Sequence, residues 1–274
     1  MAAVSRAAAS TGFAPGRTAR WIIGILIAGV FSIPIIAMIE FTLRDRDGGH
    51  SFVHWTGLFD PANAPKYQPI WQGLTNSLIL AVVTIAIVLL LLAPTMILVT
   101  LRFPRLSRPL EFIALLPISI PAIVLVVGLA PVYLVIGRTF GTGIWSLAFA
   151  YGITVLPYAY RAIQASIDAT DVRTLAEAAR SLGASWSDVL FRVLAPNLRA
   201  GLLAASLISV AVVLGEYTIA SLLARQNLQT ALVVVGKQDA YVAVIFSLLA
   251  LAFAFALLLV IGRASTRTAR KARS

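Results

Sequence analysis

The chain has 274 residues, 59% hydrophobic and only 12% charged, with a mean hydropathy of +0.91 and a net charge of +11. A soluble domain carries about 25% charged residues, so the composition is that of an integral membrane protein with lipid as its solvent. The absence of cysteine excludes disulfides, iron–sulfur clusters and thiolate zinc sites, and the basic residues sit at the ends of apolar runs, as membrane orientation signals do, rather than in a nucleic-acid-binding patch.

In chain order, residues 1–20 read as a cytoplasmic tail, rich in Ala and Ser. The first apolar run, 21–42, is longer than the roughly 7–15 residues of a secretory signal core and is followed by no small-residue cleavage site, so it reads as an uncleaved first span. Crossing a bilayer core takes roughly 20 apolar residues in a helix. Five further segments meet or approach that length: 72–100, 111–137, 143–165, 199–222 and 239–262. Pro94 is expected to kink the second. Pro117, Pro121 and Pro131 are expected to break or bend the third, which a membrane helix tolerates where neighbours re-satisfy the freed carbonyls. The fold class is therefore all-α, a membrane domain over 21–263 with six spans and a basic tail over 264–274.

Lys and Arg set the orientation. One side collects Arg6, Arg17, Arg20, Arg102, Arg105, Arg108, Arg161, Arg173, Arg180, Arg192, Arg199 and the tail. The other has Arg44, Arg46, Lys66, Arg138, Arg225 and Lys237. Both termini are then cytoplasmic. The outer loop after span one carries His50 and His54, four apart, but glycines precede them and no third ligand completes a metal site.

The polar stretch 171–196 falls in the cytoplasm between spans four and five. Asp171 or Thr170 can cap a short helix running to Leu182, and Gly183 can stop it in a left-handed conformation. Ser185-Trp186-Ser187-Asp188 opens a second helix as a capping box. Trp186, Val189, Leu190, Val193 and Leu194 then form one apolar face. Glu177 and Arg180 make a charged pair beside the small residues Ala178 and Ala179. Such a loop suits docking to a cytoplasmic partner or lying on the bilayer surface.

Glu177-Ala178-Ala179, three residues, Gly183, nine residues, Val193, one residue, Ala195 and Pro196 resembles the EAA loop of ABC-importer permeases, whose pattern ends Ile, one residue, Leu-Pro. Val193 replaces the Ile and Ala195 the Leu. The resemblance covers roughly 70–262. It implies that Glu177, Ala178, Ala179, Arg180, Gly183 and Pro196 dock an ATPase subunit. It also implies two such subunits carrying ATP and Mg, a second permease that is identical or related, and an extracytoplasmic solute-binding protein. This chain would bind no cofactor. No Gly-rich phosphate loop is present: Gly236-Lys237 lacks the upstream Gly and the following hydroxyl.

Glu216, within Leu214-Gly215-Glu216-Tyr217-Thr218, is the acid expected inside span five. A charge there costs about 2.5–3.5 kcal/mol at the bilayer centre, so it either pairs with Arg225, Arg138 or a neighbouring helix, or lines a pathway together with Tyr217. Gly-Glu-Tyr resembles the spermidine/putrescine-type permeases, although sulfate- and molybdate-type relatives share Gly-Glu-aromatic. A secondary transporter or channel is the alternative reading. It accounts for the spans and Glu216 but not for the capped loop.

Overall fold

The computed structural model describes residues 16–45 and 47–271. Residues 1–15, Arg46 and 272–274 lie outside it, and with them most of the tail 1–20 and the end of the tail 264–274. Among the described residues there is no strand, only an isolated bridge between Arg44 and His50.

Helix α1 (Arg17–Leu43) is apolar and exposed along most of its length, the pattern of a helix solvated by lipid. Its C-terminal end is tied down. The Trp55 indole N–H donates to Thr42 Oγ1 at 3.1 Å, and the Phe41 and His54 rings both stack on Tyr241.

Helix α2 (Ala64–Ile87) starts before the predicted position 72. It runs through a π-helical turn, Val88–Leu92, into α3 (Ala93–Arg102). Proline has no N–H and its ring clashes with the carbonyl four residues back. Widening the ladder just before Pro94 lets the chain continue past it.

The predicted third span is two helices. In α4 (Ser107–Leu115) the chain ends in a 3₁₀ turn at Leu116–Ser119. It becomes extended at Ile120 and resumes as α5 (Ala122–Phe140). Pro117 and Pro121 make the break, whereas Pro131 is accommodated inside α5.

Helix α6 (Ala148–Asp168) packs most extensively on α8 (Arg199–Gly215). Their approach depends on Gly201: a Cβ there would stand 2.5 Å from Ser166 Cβ and 2.7 Å from the Ala162 carbonyl oxygen. Span five was expected to reach 222, but α8 ends at Gly215. The chain is extended at Glu216, forms the short α9 (Thr218–Leu222), turns, and continues as α10 (Leu228–Gly236) and α11 (Ala240–Lys271).

Among the described residues, four helices are long and apolar enough to cross a membrane: Thr18–Leu43, Pro61–Arg102, Ala122–Phe140 and Ala240–Leu257. Trp186–Asn197 and Arg199–Gly215, bent by 79°, qualify together. The predicted fourth span, α6, falls short of that measure, diluted by Arg161, Gln164 and its tyrosines.

The interior divides along the bundle. One cluster gathers Ile70, Leu80, Tyr151, Val213, Leu228 and Ile245. The other gathers Val88, Met96, Ile163, Val189, Leu194 and Leu198, next to the 171–196 loop. Where α2 and α8 pass from one cluster to the other, the buried residues are Thr84 and Ser209.

Candidate coupling surface

The loop forms the two predicted pieces. Helix α7 (Val172–Ser181) is capped by Asp171, which accepts the Thr174 N–H at 3.1 Å and the Thr174 hydroxyl at 2.7 Å. Those bonds, the hydroxyl's foremost, hold the Asp171 carboxyl below its usual value. Gly183 has φ +85, the left-handed region where a side chain is disfavoured, and nothing lies within 4 Å of the Cβ it lacks. Its conformation alone explains the glycine.

Ser185 caps the second piece through its hydroxyl, which accepts the Asp188 N–H at 3.2 Å and donates to the Asp188 carboxylate. That hydroxyl, with the Arg192 guanidinium 3.1 Å away, keeps the Asp188 carboxyl low. The capping box is thus half of the predicted one, with the carboxylate turned to its capping serine's hydroxyl. The second piece begins as Trp186–Asp188, widens to a π turn at Val189–Leu194 and ends at Ala195–Asn197, where Leu198 starts the bend into α8.

Burial separates an anchor from a display. Val172 and Ala176 on α7, one turn apart, are buried in the second cluster with Val189 and Leu194, and Ala179 packs beside them half-buried. Glu177, Ala178, Ser181, Leu182 and Gly183 face outward. Glu177 has no ion-pair partner among the described residues. Leu182 is 89% exposed, the most of any large apolar side chain described.

The docking set expected from the sequence therefore splits. Glu177, Ala178 and Gly183 are presented together. Ala179 is turned to the core. Arg180 is folded back, donating to the Ala184 carbonyl at 2.7 Å and covering the Trp186 ring at 5.4 Å. Pro196 is exposed at the other end of the second piece, beside the bend.

Two residues escaped sequence reasoning. Leu182 was counted as a helix former, and only its exposure marks it. Arg102, at the end of α3, lies 4.6 Å from the centre of the Trp186 ring and joins the loop to the α2–α3 run. The spacing of basic residues assigned Arg102 to orientation alone.

Glu216 stands elsewhere, in the break between α8 and α9. Its carboxylate accepts the Ile219 N–H at 2.8 Å and the Ala220 N–H at 3.4 Å, capping α9. Its carbonyl accepts the Asn227 amide, which also reaches the Tyr151 hydroxyl. No ion pair joins it to Arg225 or Arg138 among the described residues. Tyr217 is 42% exposed at its side. His50 and His54 are likewise accounted for, by Glu40 at 3.6 Å and by the Arg44 carbonyl at 3.1 Å. No group of three metal-ligating side chains occurs among the described residues.

A family model described as "Binding-protein-dependent transport system inner membrane component" matches residues 96–271, more than half of the chain and the whole of the capped loop. No curated protein matches the sequence.

Proposed function

Because the chain belongs to the family of binding-protein-dependent transport system inner membrane components, a multi-pass permease component of ABC importers, we propose that the 171–196 loop is its socket for an ATPase subunit. The chain would form half of a translocation pathway for a small solute, six spans with both termini cytoplasmic. ATP and Mg would be held by two partner ATPases, with a second permease, identical or related, completing the path and an extracytoplasmic binding protein supplying the solute.

The supporting observation is the two-sided character of α7. One face displays Glu177, Ala178 and Leu182, while the opposite face is rooted among Val189, Ile163 and Leu194 in the second cluster. A push on the displayed face acts directly on the cluster that contains α6 and the start of α8. An amphipathic helix resting on lipid would turn its apolar face outward, whereas here that face is buried and the exposed one carries a charge.

A polyamine-like solute is suggested by the likeness of Gly215-Glu216-Tyr217 and the following Thr-Ile-Ala-Ser-Leu-Leu to spermidine/putrescine-type permeases. The capping role of the Glu216 carboxylate adds no support for a cationic solute.

The socket is tested by co-purification. Glu177→Arg should release the ATPase subunit and abolish uptake while the permease stays folded in the membrane. Retention of the ATPase with undiminished transport would overturn the assignment.

A further inference from the structure

At the end of α6 remote from the coupling loop, a cavity of 530 Å³ opens between α5 and the α9 turn, lined by Tyr133, Arg138, Thr142, Leu222 and Arg225 among others. Two guanidinium groups share this cavity, and among the described residues no carboxylate lies within ion-pair distance of either. Glu216, the acid of the neighbouring break, forms no ion pair with either, and the Tyr133 hydroxyl in the cavity wall is already used, donating to the Ser146 carbonyl while accepting the Ala150 N–H.

Arg225 is the less ordinary of the pair. Its Nε is buried and has no hydrogen-bond partner. A buried donor on a charged group is normally satisfied; here the stem of Arg225 is desolvated and unpaired, which leaves the ends of its guanidinium as the groups able to meet an acceptor. Its backbone is also held firmly. The Arg225 N–H bonds the Ala220 carbonyl, and the preceding Ala224 is at φ +51, a conformation an alanine seldom adopts. Just beyond, Gln226 reaches the Pro69 carbonyl and accepts the Asn76 amide, and Asn227 is fixed to Tyr151. A disfavoured turn locked between neighbouring helices places one arginine opposite another where nothing in the described chain balances them. Strain kept in this way points to a site.

We propose that Arg225 and Arg138 form a binding site for an oxyanion, a carboxylate, phosphate or sulfate group, which enters this cavity and accepts from the terminal guanidinium nitrogens of the two arginines. Guanidinium groups suit such groups through paired N–H donors. The oxyanion belongs either to an anionic solute on its way through the permease, an assignment that rests on the function proposed above, or to the headgroup of an anionic lipid.

The test uses the full-length chain in phosphatidylcholine nanodiscs, with no ATPase present, so that a failure of the coupling-loop assignment leaves it readable. Sulfate, inorganic phosphate and succinate are titrated against chloride at constant ionic strength, with spermidine as the cationic comparison, and thermal unfolding is the readout. A parallel set of discs contains phosphatidylglycerol, and lipid retained by the chain is measured by native mass spectrometry. At least one anion should raise the unfolding midpoint. Arg225→Gln and the exposed-site variant Arg138→Gln should each weaken its binding about tenfold, and Arg225→Lys should retain part of it. Phosphatidylglycerol retained in an Arg138-dependent way, without an effect of the free anions, supports the oxyanion site and names lipid as its source. Stabilisation by spermidine alone, no ligand in either set, or equal binding by Arg138→Gln overturns the proposal.

Discussion

Replacing Gly201 by alanine adds one methyl group at the point where α8 crosses α6. Carbon atoms in contact sit about 3.5–4.0 Å apart. The new Cβ would stand 2.5 Å from Ser166 Cβ and 2.7 Å from the Ala162 carbonyl oxygen. The helices must separate by roughly 1 Å, and the obstacle is partly backbone, which cannot rotate away. Overpacking of this kind costs about 1–3 kcal/mol, set against the helix-propensity gain of about 1 kcal/mol that Gly→Ala brings in an open position. Denaturant unfolding of the purified chain should show a net loss of up to about 2 kcal/mol. Gly29→Ala, where nothing lies within 4 Å, should be neutral or slightly stabilising. Adding Ser166→Gly to Gly201→Ala removes the nearer clash but leaves the Ala162 carbonyl, so recovery should be partial. A Gly201→Ala chain more stable than the parent, by the same margin as Gly29→Ala or more, would refute the close approach of α6 and α8.

Other consequences are as direct. Glu216→Ala removes the acceptor that caps α9 and should cost about 1 kcal/mol in unfolding, whereas Glu216→Gln keeps a carbonyl acceptor and should assemble normally; equal damage by both would mean that the charge rather than the cap is needed. Trp186→Leu and Arg102→Gln should show a coupling energy of about 0.5–1 kcal/mol in a double-mutant cycle, and strict additivity would show that the ring contact does not join the loop to α3. Asp171 and Asp188 both have carboxyls held below the ordinary value of 3.8. Their contribution is therefore complete above that value and is lost as pH falls through their lower folded values. The protection of the Thr174 and Asp188 amides, taken relative to the intrinsic exchange rate at each pH, should fall in acid below about pH 4, and Asp171→Asn should remove that pH dependence at Thr174.

What the sequence made legible is local. The apolar runs announced the helices, and Asp171, Gly183 and Ser185 announced the loop, because a cap or a left-handed turn is decided by a few adjacent residues. Pro117 and Pro121 announced the break between α4 and α5 for the same reason. The break at Glu216 was hidden because Gly215 and Glu216 interrupt an apolar run too briefly to change its average. It becomes reasonable only once Asn227 and Tyr151 supply partners from distant parts of the chain. The placement of Arg102 over Trp186 is likewise a long-range fact, whereas the folding back of Arg180 onto Ala184 is local but depends on the turn at Gly183. The pattern Glu177-Ala178-Ala179 marked the stretch proposed here as a coupling surface but could not say which of its residues face out. That depended on which side of α7 found the second cluster, and it left Leu182 at the tip.

The layer holding Thr84 and Ser209 has a mechanical meaning. Ser209 satisfies itself on the Ala205 carbonyl within its own helix, and the Thr84 hydroxyl is buried without a partner. Neither residue bonds across to the opposite half. Tilting one end of the bundle against the other would therefore break no side-chain hydrogen bond at this layer; the resistance would come from bending α2, α6 and α8, which run through it unbroken.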